Sequence, residues 1–156
     1  MGAFDTLYYH EYRLRLPHLP HTGKELKLHA LRDFIYALLF GTIGWVEWNG
    51  SLACAFIGLL CAEIVITLLD FLEEDRIRKL PGGERVMHAL MGILYGLFLA
   101  ALLPEVRRWM ANPFGFRHVQ YGILSPVLTL MSIGVMFSGL RDLVSSSGKT
   151  HAPALK

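Results

Sequence analysis

An acid or base at the centre of a membrane helix costs about 2.5–3.5 kcal/mol to insert, so ionisable residues within apolar stretches are where chemistry is sought first. Glu63 lies between GLLCA and IVITLL, and Asp70 follows seven residues later. On a helix that separation is about 10 Å of rise and only about 20° of rotation, so the two carboxylates share a face. His29 and Asp33 are four residues apart, as are Glu84 and His88, and each pair again shares a face. Four carboxylates and two imidazoles make an oxygen and nitrogen donor set suited to iron or another divalent metal. Arg85 and Arg141 are candidates for the charged partners that orient those ligands.

The inventory admits more than one use. Carboxylate di-iron proteins carry four carboxylates and two histidines in a four-helix bundle, with Glu-x-x-His at three-residue spacing. Here the total agrees, but the spacing is four, His29 precedes its acid, and the fourth helix offers no partner glutamate. Four-residue spacing still places two ligands on one face, as in H-E-x-x-H zinc helices. A structural network is the alternative, in which Glu63 pairs with Arg32, Arg85 or His88 of neighbouring helices and locks their registry. Proton or ion conduction along the carboxylates is a third reading, and a b-type haem held by His29 and His88 a fourth, to which the carboxylates are poor company.

These residues need elements to hold them. The 156-residue chain is 53% hydrophobic, more than a soluble domain normally shows, and its apolar residues cluster. The stretches Ala30–Trp48, Ser51–Leu72, Val86–Leu103 and Val119–Leu140 each approach or exceed the roughly 18–20 residues that cross a bilayer as a helix. They lack period-two alternation, so a barrel is excluded, and an all-α integral membrane four-helix bundle is predicted. The division is a polar interfacial arm over residues 1–28, the bundle over 29–143, and a disordered cytoplasmic tail over 144–156. The first and third spans begin on the side where the second ends, which brings the candidate ligands to similar depths.

Basic residues are unevenly divided between the two sides. Arg13, Arg15, Lys24, Lys27 and Arg32 precede or open the first span; Arg76, Arg78, Lys79 and Arg85 join the second to the third; Arg141, Lys149 and Lys156 follow the fourth. Only Arg107, Arg108 and Arg117 fall on the other side, so both termini are expected in the cytoplasm. A net charge of +2 gives no reason to expect nucleic acid as a partner. The expected partners are the lipid bilayer and either other membrane subunits or further copies of the chain. Cys54 and Cys61 share a helix face but cannot bridge along one helix, and read as buried thiols.

The connections carry their own signals. Thr22 can cap a first helix, and Asn49-Gly50 supplies a tight turn between the first two spans, with Trp45 and Trp48 at the interface. PEVRRWMANPFGFRH reads as an interfacial segment sealing the bundle. Pro126 is a candidate kink, and Gly134, Ser138 and Gly139 are small surfaces for close helix packing. Glu73, Glu74, Asp75, Arg76 and Arg78 read as an interfacial hinge, with Pro81-Gly82-Gly83 as its turn. MGAFDT matches a myristoylation start by chance, and SGKT is no phosphate loop because Leu143 stands where its first glycine would be.

YRLRLP, HALRDFIYALLF and AEIVITLLDFLEEDRIRKLPGGERVMHALMGILYG together resemble an uncharacterised family of bacterial four-span inner-membrane proteins. The resemblance covers roughly Phe4 to Leu143, with Glu63, Asp70, Glu74, Asp75, Arg76, Pro81, Glu84, Arg85 and His88 as its core motif. It implies the membrane architecture and a bacterial source, and no activity. The expectation is therefore a bacterial inner-membrane protein with a polar cluster in its cytoplasmic leaflet. Its role is that of an accessory or structural subunit of a membrane redox complex, or of a metal-dependent oxidoreductase acting on a lipid-soluble substrate such as a quinone, isoprenoid or acyl chain.

Overall fold

A computed structural model describes residues 22–77 and 79–147. Four helices, α1 (Gly23–Ile43), α2 (Ser51–Ile77), α3 (Gly82–Ala111) and α4 (Leu124–Ser146), are joined at one end by an antiparallel ribbon of β1 (Val46–Asn49) and β2 (Gly115–His118). Among the described residues, α2, α3 and α4 are long and apolar enough to cross a membrane. Helix α1 differs because Lys24, Glu25, Lys27, Arg32 and Asp33 crowd its first half. The distribution of side chains is inside out for water. Ile123, Leu130, Phe137 and Val144 are exposed while Glu25, Glu63, Asp70, Glu74 and Glu84 are buried, the pattern of a surface that faces lipid.

The chain is mostly helical, as expected, and the ribbon is an addition to that expectation. The first span was expected to stay helical to Trp48, but α1 ends at Ile43 and Val46–Asn49 is a strand. Its partner is distant in sequence, which a local pattern does not reveal. Glu47 pairs with Arg117 and Trp48 with Phe116 across the ribbon, an opposite-charge pair and an aromatic pair of the kind that hold two strands together. Gly50 turns the chain into α2 at φ +64°, and a Cβ there would lie 2.8 Å from the Phe114 Cα, so both conformation and space require glycine. Phe56 meets Trp48 of the ribbon at a tilt and Trp109 edge to face, within a buried core completed by Leu39, Ala53, Leu60, Leu102 and Val106.

Glu47 is buried and receives Arg108 Nη2 at 2.8 Å and Arg117 Nε at 2.6 Å. The hydrogen bonds from Arg117, and then those from Arg108, hold its carboxyl below the usual range against the opposing effect of desolvation.

Small residues set the closest helix contact. Gly23, Ala30, Ala37 and Gly44 recur every seven residues and are buried, as are Ser125, Ser132, Gly139 and Ser146 on α4. The two rows face each other antiparallel. Ser132 Oγ donates to the Ala37 carbonyl at 2.6 Å and Ser125 Oγ to the Gly44 carbonyl at 2.6 Å. Backbones approach this closely only over small side chains, which then bond across the seam. Gly139 belongs to it, since a Cβ there would lie 3.0 Å from the Asp33 Cβ, whereas Gly134 faces open space. Pro126 makes no kink: it sits in the first turn of α4, where its missing N–H had no helical partner to lose. Helix α3 instead carries an internal proline, Pro104, and continues to Ala111, beyond the expected end at Leu103.

Helix α2 also runs past its expected end, through Glu73, Glu74, Asp75 and Arg76 to Ile77. Ala53, Phe56, Leu60, Glu63, Asp70 and Glu74 then form one buried stripe, apolar toward the ribbon and acidic toward the other end. The segment expected to be a charged hinge is therefore mostly helix. The expected arm over 1–28 yields Gly23–Leu28 to α1, and the tail over 144–156 yields Val144–Ser146 to α4. The remainder of both, at 1–21 and 148–156, lies outside the described residues.

Candidate metal centre

At the end away from the ribbon, α1 and α3 both begin and α2 ends. Glu25 and Glu84 occupy the first turns of α1 and α3, where the positive end of the helix dipole favours a carboxylate. One turn further, His29 and His88 project on the same faces, so the two helices present the same Glu-x-x-x-His arrangement. From α2, Glu74 enters between them. Ligand atoms of Glu25, His29 and Glu74 lie within 4.8 Å of one another, as do those of Glu74, Glu84 and His88. All are buried except His88, which is mostly covered and stacks on Phe71 with ring centroids 4.7 Å apart.

Glu74 belongs to both groups, and its two oxygens divide between them. Oε1 is 3.7 Å from His29 Nε2, and Oε2 is 3.6 Å from His88 Nδ1. Donors bound about 2.0–2.2 Å from one ion stand roughly 3–3.5 Å apart, so small side-chain adjustments would let each histidine share an ion with its own carboxylate oxygen. A carboxylate placed in this way could serve two ions, and Glu25 and His29 would complete one set of ligands and Glu84 and His88 the other.

Other charged groups surround this set. Asp70 Oδ2 is 2.9 Å from His29 Nε2 and accepts a hydrogen bond from Arg32 Nη1 at 2.9 Å. Asp142 Oδ2 is 3.8 Å from His29 Nδ1, while its Oδ1 accepts from Arg141 Nε at 2.9 Å and Nη2 at 2.7 Å. His29 Nε2 therefore faces Asp70 and Glu74 together, while Nδ1 faces Asp142; a carboxylate on the second nitrogen is the arrangement that fixes a ring and raises its basicity toward a metal. Lys24 and Glu73 form an exposed pair at 2.7 Å outside the cluster, of little energetic consequence in water.

Of the residues chosen from sequence, His29, Glu84 and His88 fall in the two groups and Asp70 lies against His29. Asp33 and Glu63 do not join them. Asp33 is half-buried and its Cβ meets the position of Gly139 on α4, because four residues advance a helix by about 40° beyond a full turn. Glu63 shares the α2 stripe but lies about 10 Å deeper than Asp70. It accepts a hydrogen bond from Thr67 Oγ1 at 2.7 Å. Arg85 is exposed and takes no place around the cluster, where Arg32 stands instead; Arg141 keeps its expected position through Asp142.

Glu25 and Glu74 were not among the ligands expected from sequence. Glu25 was hidden by assigning residues 1–28 to an arm, although Glu25–His29 repeats the Glu84–His88 spacing. Glu74 was hidden by ending the helix at Leu72, although it lies one turn beyond Asp70. Comparison with protein-family models, characterised proteins and solved structures returned no match.

Proposed function

We propose that the chain is an integral membrane metalloprotein that binds a pair of divalent cations where α1, α2 and α3 meet. The reading rests on Glu74, whose two oxygens face His29 and His88 from opposite sides at 3.7 and 3.6 Å. Glu25, His29, Glu74, Glu84 and His88 are the ligands, Asp142 orients His29 through Nδ1, Asp70 adds a carboxylate on the Nε2 side, and Arg32 and Arg141 hold those two carboxylates. Mixed carboxylate and imidazole donors suit iron, manganese or zinc. In this reading all four helices lie in a bacterial inner membrane with both termini and the metal centre on the cytoplasmic side, as the distribution of basic residues favours. The exposed Leu68, Leu69, Leu72, Val86 and Leu90 beside the centre favour a lipid-soluble substrate reaching it from the bilayer. The activity is then a metal-dependent oxidation or reduction of that substrate.

Metal analysis of the detergent-purified protein, beside His29→Ala and His88→Ala, tests this. The expected result is stoichiometric transition metal in wild type and its loss from both variants. Wild-type protein without stoichiometric metal, after purification free of chelators and after incubation with iron(II), manganese(II) or zinc(II), would reject the reading.

A second reading is an accessory subunit of a membrane complex. It is supported by a small-residue face on α2, where Cys54 and Cys61, expected to be buried, are instead exposed beside Gly58 and Ala62 and would suit close packing against another helix. Co-purification of other chains through that face would favour it. The remaining readings have less support. Glu74 stands between His29 and His88 where a haem would need to sit, and the acidic stripe of α2 runs into the aromatic core at Leu60 and Phe56 rather than across the bundle.

A further inference from the structure

Glu63 is fully buried near the middle of α2. Tyr36 of α1 and Tyr95 of α3 both turn their hydroxyls toward its carboxylate, and Thr67 donates to Oε1 at 2.7 Å. Glu63 Oε2 and the Tyr95 hydroxyl are nonetheless left without a closed hydrogen bond. A buried carboxylate oxygen and a buried phenol in this state are costly to keep. They also form a base beside an acid, with capacity to take a proton.

The two phenols belong together. Their ring centroids are 6.1 Å apart in an edge-on contact, and Phe40 and Phe98 extend the same aromatic group. Tyr36 lies seven residues beyond His29 on α1, about 10 Å along the helix and on nearly the same face. Arg32, one turn nearer the centre, bonds Asp70.

We infer that Tyr36, Tyr95 and Glu63 form a proton-coupled electron-transfer site serving the metal centre; the inference rests on the metal reading for its electron acceptor. One phenol would give up an electron to the metal pair after dioxygen, taking two electrons from the pair and two protons from water and leaving as hydrogen peroxide, had raised the pair above its resting oxidation state. The O–H bond of that phenol breaks, and its proton passes to Glu63 Oε2. The products are a neutral phenoxyl radical, a Glu63 carboxylic acid and a metal pair reduced by one electron. A lipid-soluble donor then returns an electron to the phenoxyl oxygen, and Glu63 returns the proton. Because Glu63 accepts the proton, no charge is stranded in the middle of the bilayer, where an ionised product would be costly.

The test is frozen-solution electron paramagnetic resonance of the full-length protein in detergent, loaded with iron(II) and exposed to dioxygen. A tyrosyl signal is expected, identified by its change on ring deuteration of tyrosine. Tyr36→Phe combined with Tyr95→Phe should abolish it, and Glu63→Gln should lower its yield and shorten its lifetime. Helix content and bound iron should match wild type in each variant; should Glu63→Gln fail to fold, Glu63→Asp takes its place, with a shortened radical lifetime expected. Bound iron that oxidises without a tyrosyl signal, or a signal that survives the double substitution, overturns the inference while the metal centre stands. Failure to bind iron overturns both.

Discussion

Substitution of Glu74 by glutamine separates a metal centre from a structural ion network, because the two assign it effects of different size on the metal-free protein and on metal affinity. Its ligand atoms lie within 4.8 Å of those of Glu25 in one group and of Glu84 in the other. Two carboxylate charges at that distance repel by about 3.5 kcal/mol at an effective dielectric constant of about 20. Glutamine keeps the shape and removes the charge from both encounters, at the expense of attraction to His29 and His88. The two repulsions removed and the two attractions lost are of similar size, so the metal-free variant is expected to change in stability by less than about 3 kcal/mol. Its metal affinity should fall. Groups that merely orient ligands contribute 10–100-fold to affinity, and Glu74 is placed to bind both ions, so a loss beyond about 100-fold, or about 2.7 kcal/mol, is expected. Chelator competition reads the affinity, and unfolding in detergent with and without cation reads the stability. Glu73→Gln, which touches only the exposed Lys24 and Arg76 outside the cluster, serves as the control and should leave both unchanged. Wild-type affinity in Glu74→Gln, or a metal-free protein weakened by the 3–5 kcal/mol of a broken buried ion pair, would refute the reasoning.

Arg32→Gln strips Asp70 of its guanidinium while Asp70 stays buried. Breaking a buried pair from one side costs about 3–5 kcal/mol, and partial exposure of Arg32 places the expected loss near about 3 kcal/mol, measurable by unfolding in detergent. Glu47 provides a pH dependence at the opposite end. Its folded carboxyl is held below the ordinary value by Arg117 and Arg108, so its stabilisation is present above the unfolded carboxyl value and is lost as pH falls through the folded one. Tryptophan fluorescence of Trp45 and Trp48 should report ribbon opening below about pH 4, and Glu47→Gln should remove that pH dependence. Gly50→Ala meets both a left-handed conformation and the Phe114 backbone. The conformation alone costs about 1–2 kcal/mol, and an unchanged melting temperature would contradict the turn described.

Much of the molecule was legible in residue order. Apolar runs of bilayer length need only composition and spacing to be read, because a helix satisfies its own backbone groups whatever lies beside it. The same holds for the faces of α1, α2 and α3 that carry His29, Asp70, Glu84 and His88, since helical periodicity is a local property. Ends were harder. A run of charge after Leu72 marks where lipid should stop, not where a helix must, and the continuation of α2 through Glu74 gains from contacts with α1 and α3 that no single segment contains.

What only the tertiary structure decided is which groups meet. The sequence by itself determined the membrane-like composition, the helical periodicity and a surplus of buried carboxylates and imidazoles on three helices. The close seam of small residues between α1 and α4 fixed the rotation of α1, and with it the turning of His29 toward Asp70 and Glu74 and of Asp33 toward Gly139. The ribbon joined β1 to a strand far along the chain. Glu63 was separated from the cluster by depth, and Glu74 was set between two histidines. Each of these outcomes depends on the rotation and depth of one helix against another, and those are set by packing between segments distant in the chain.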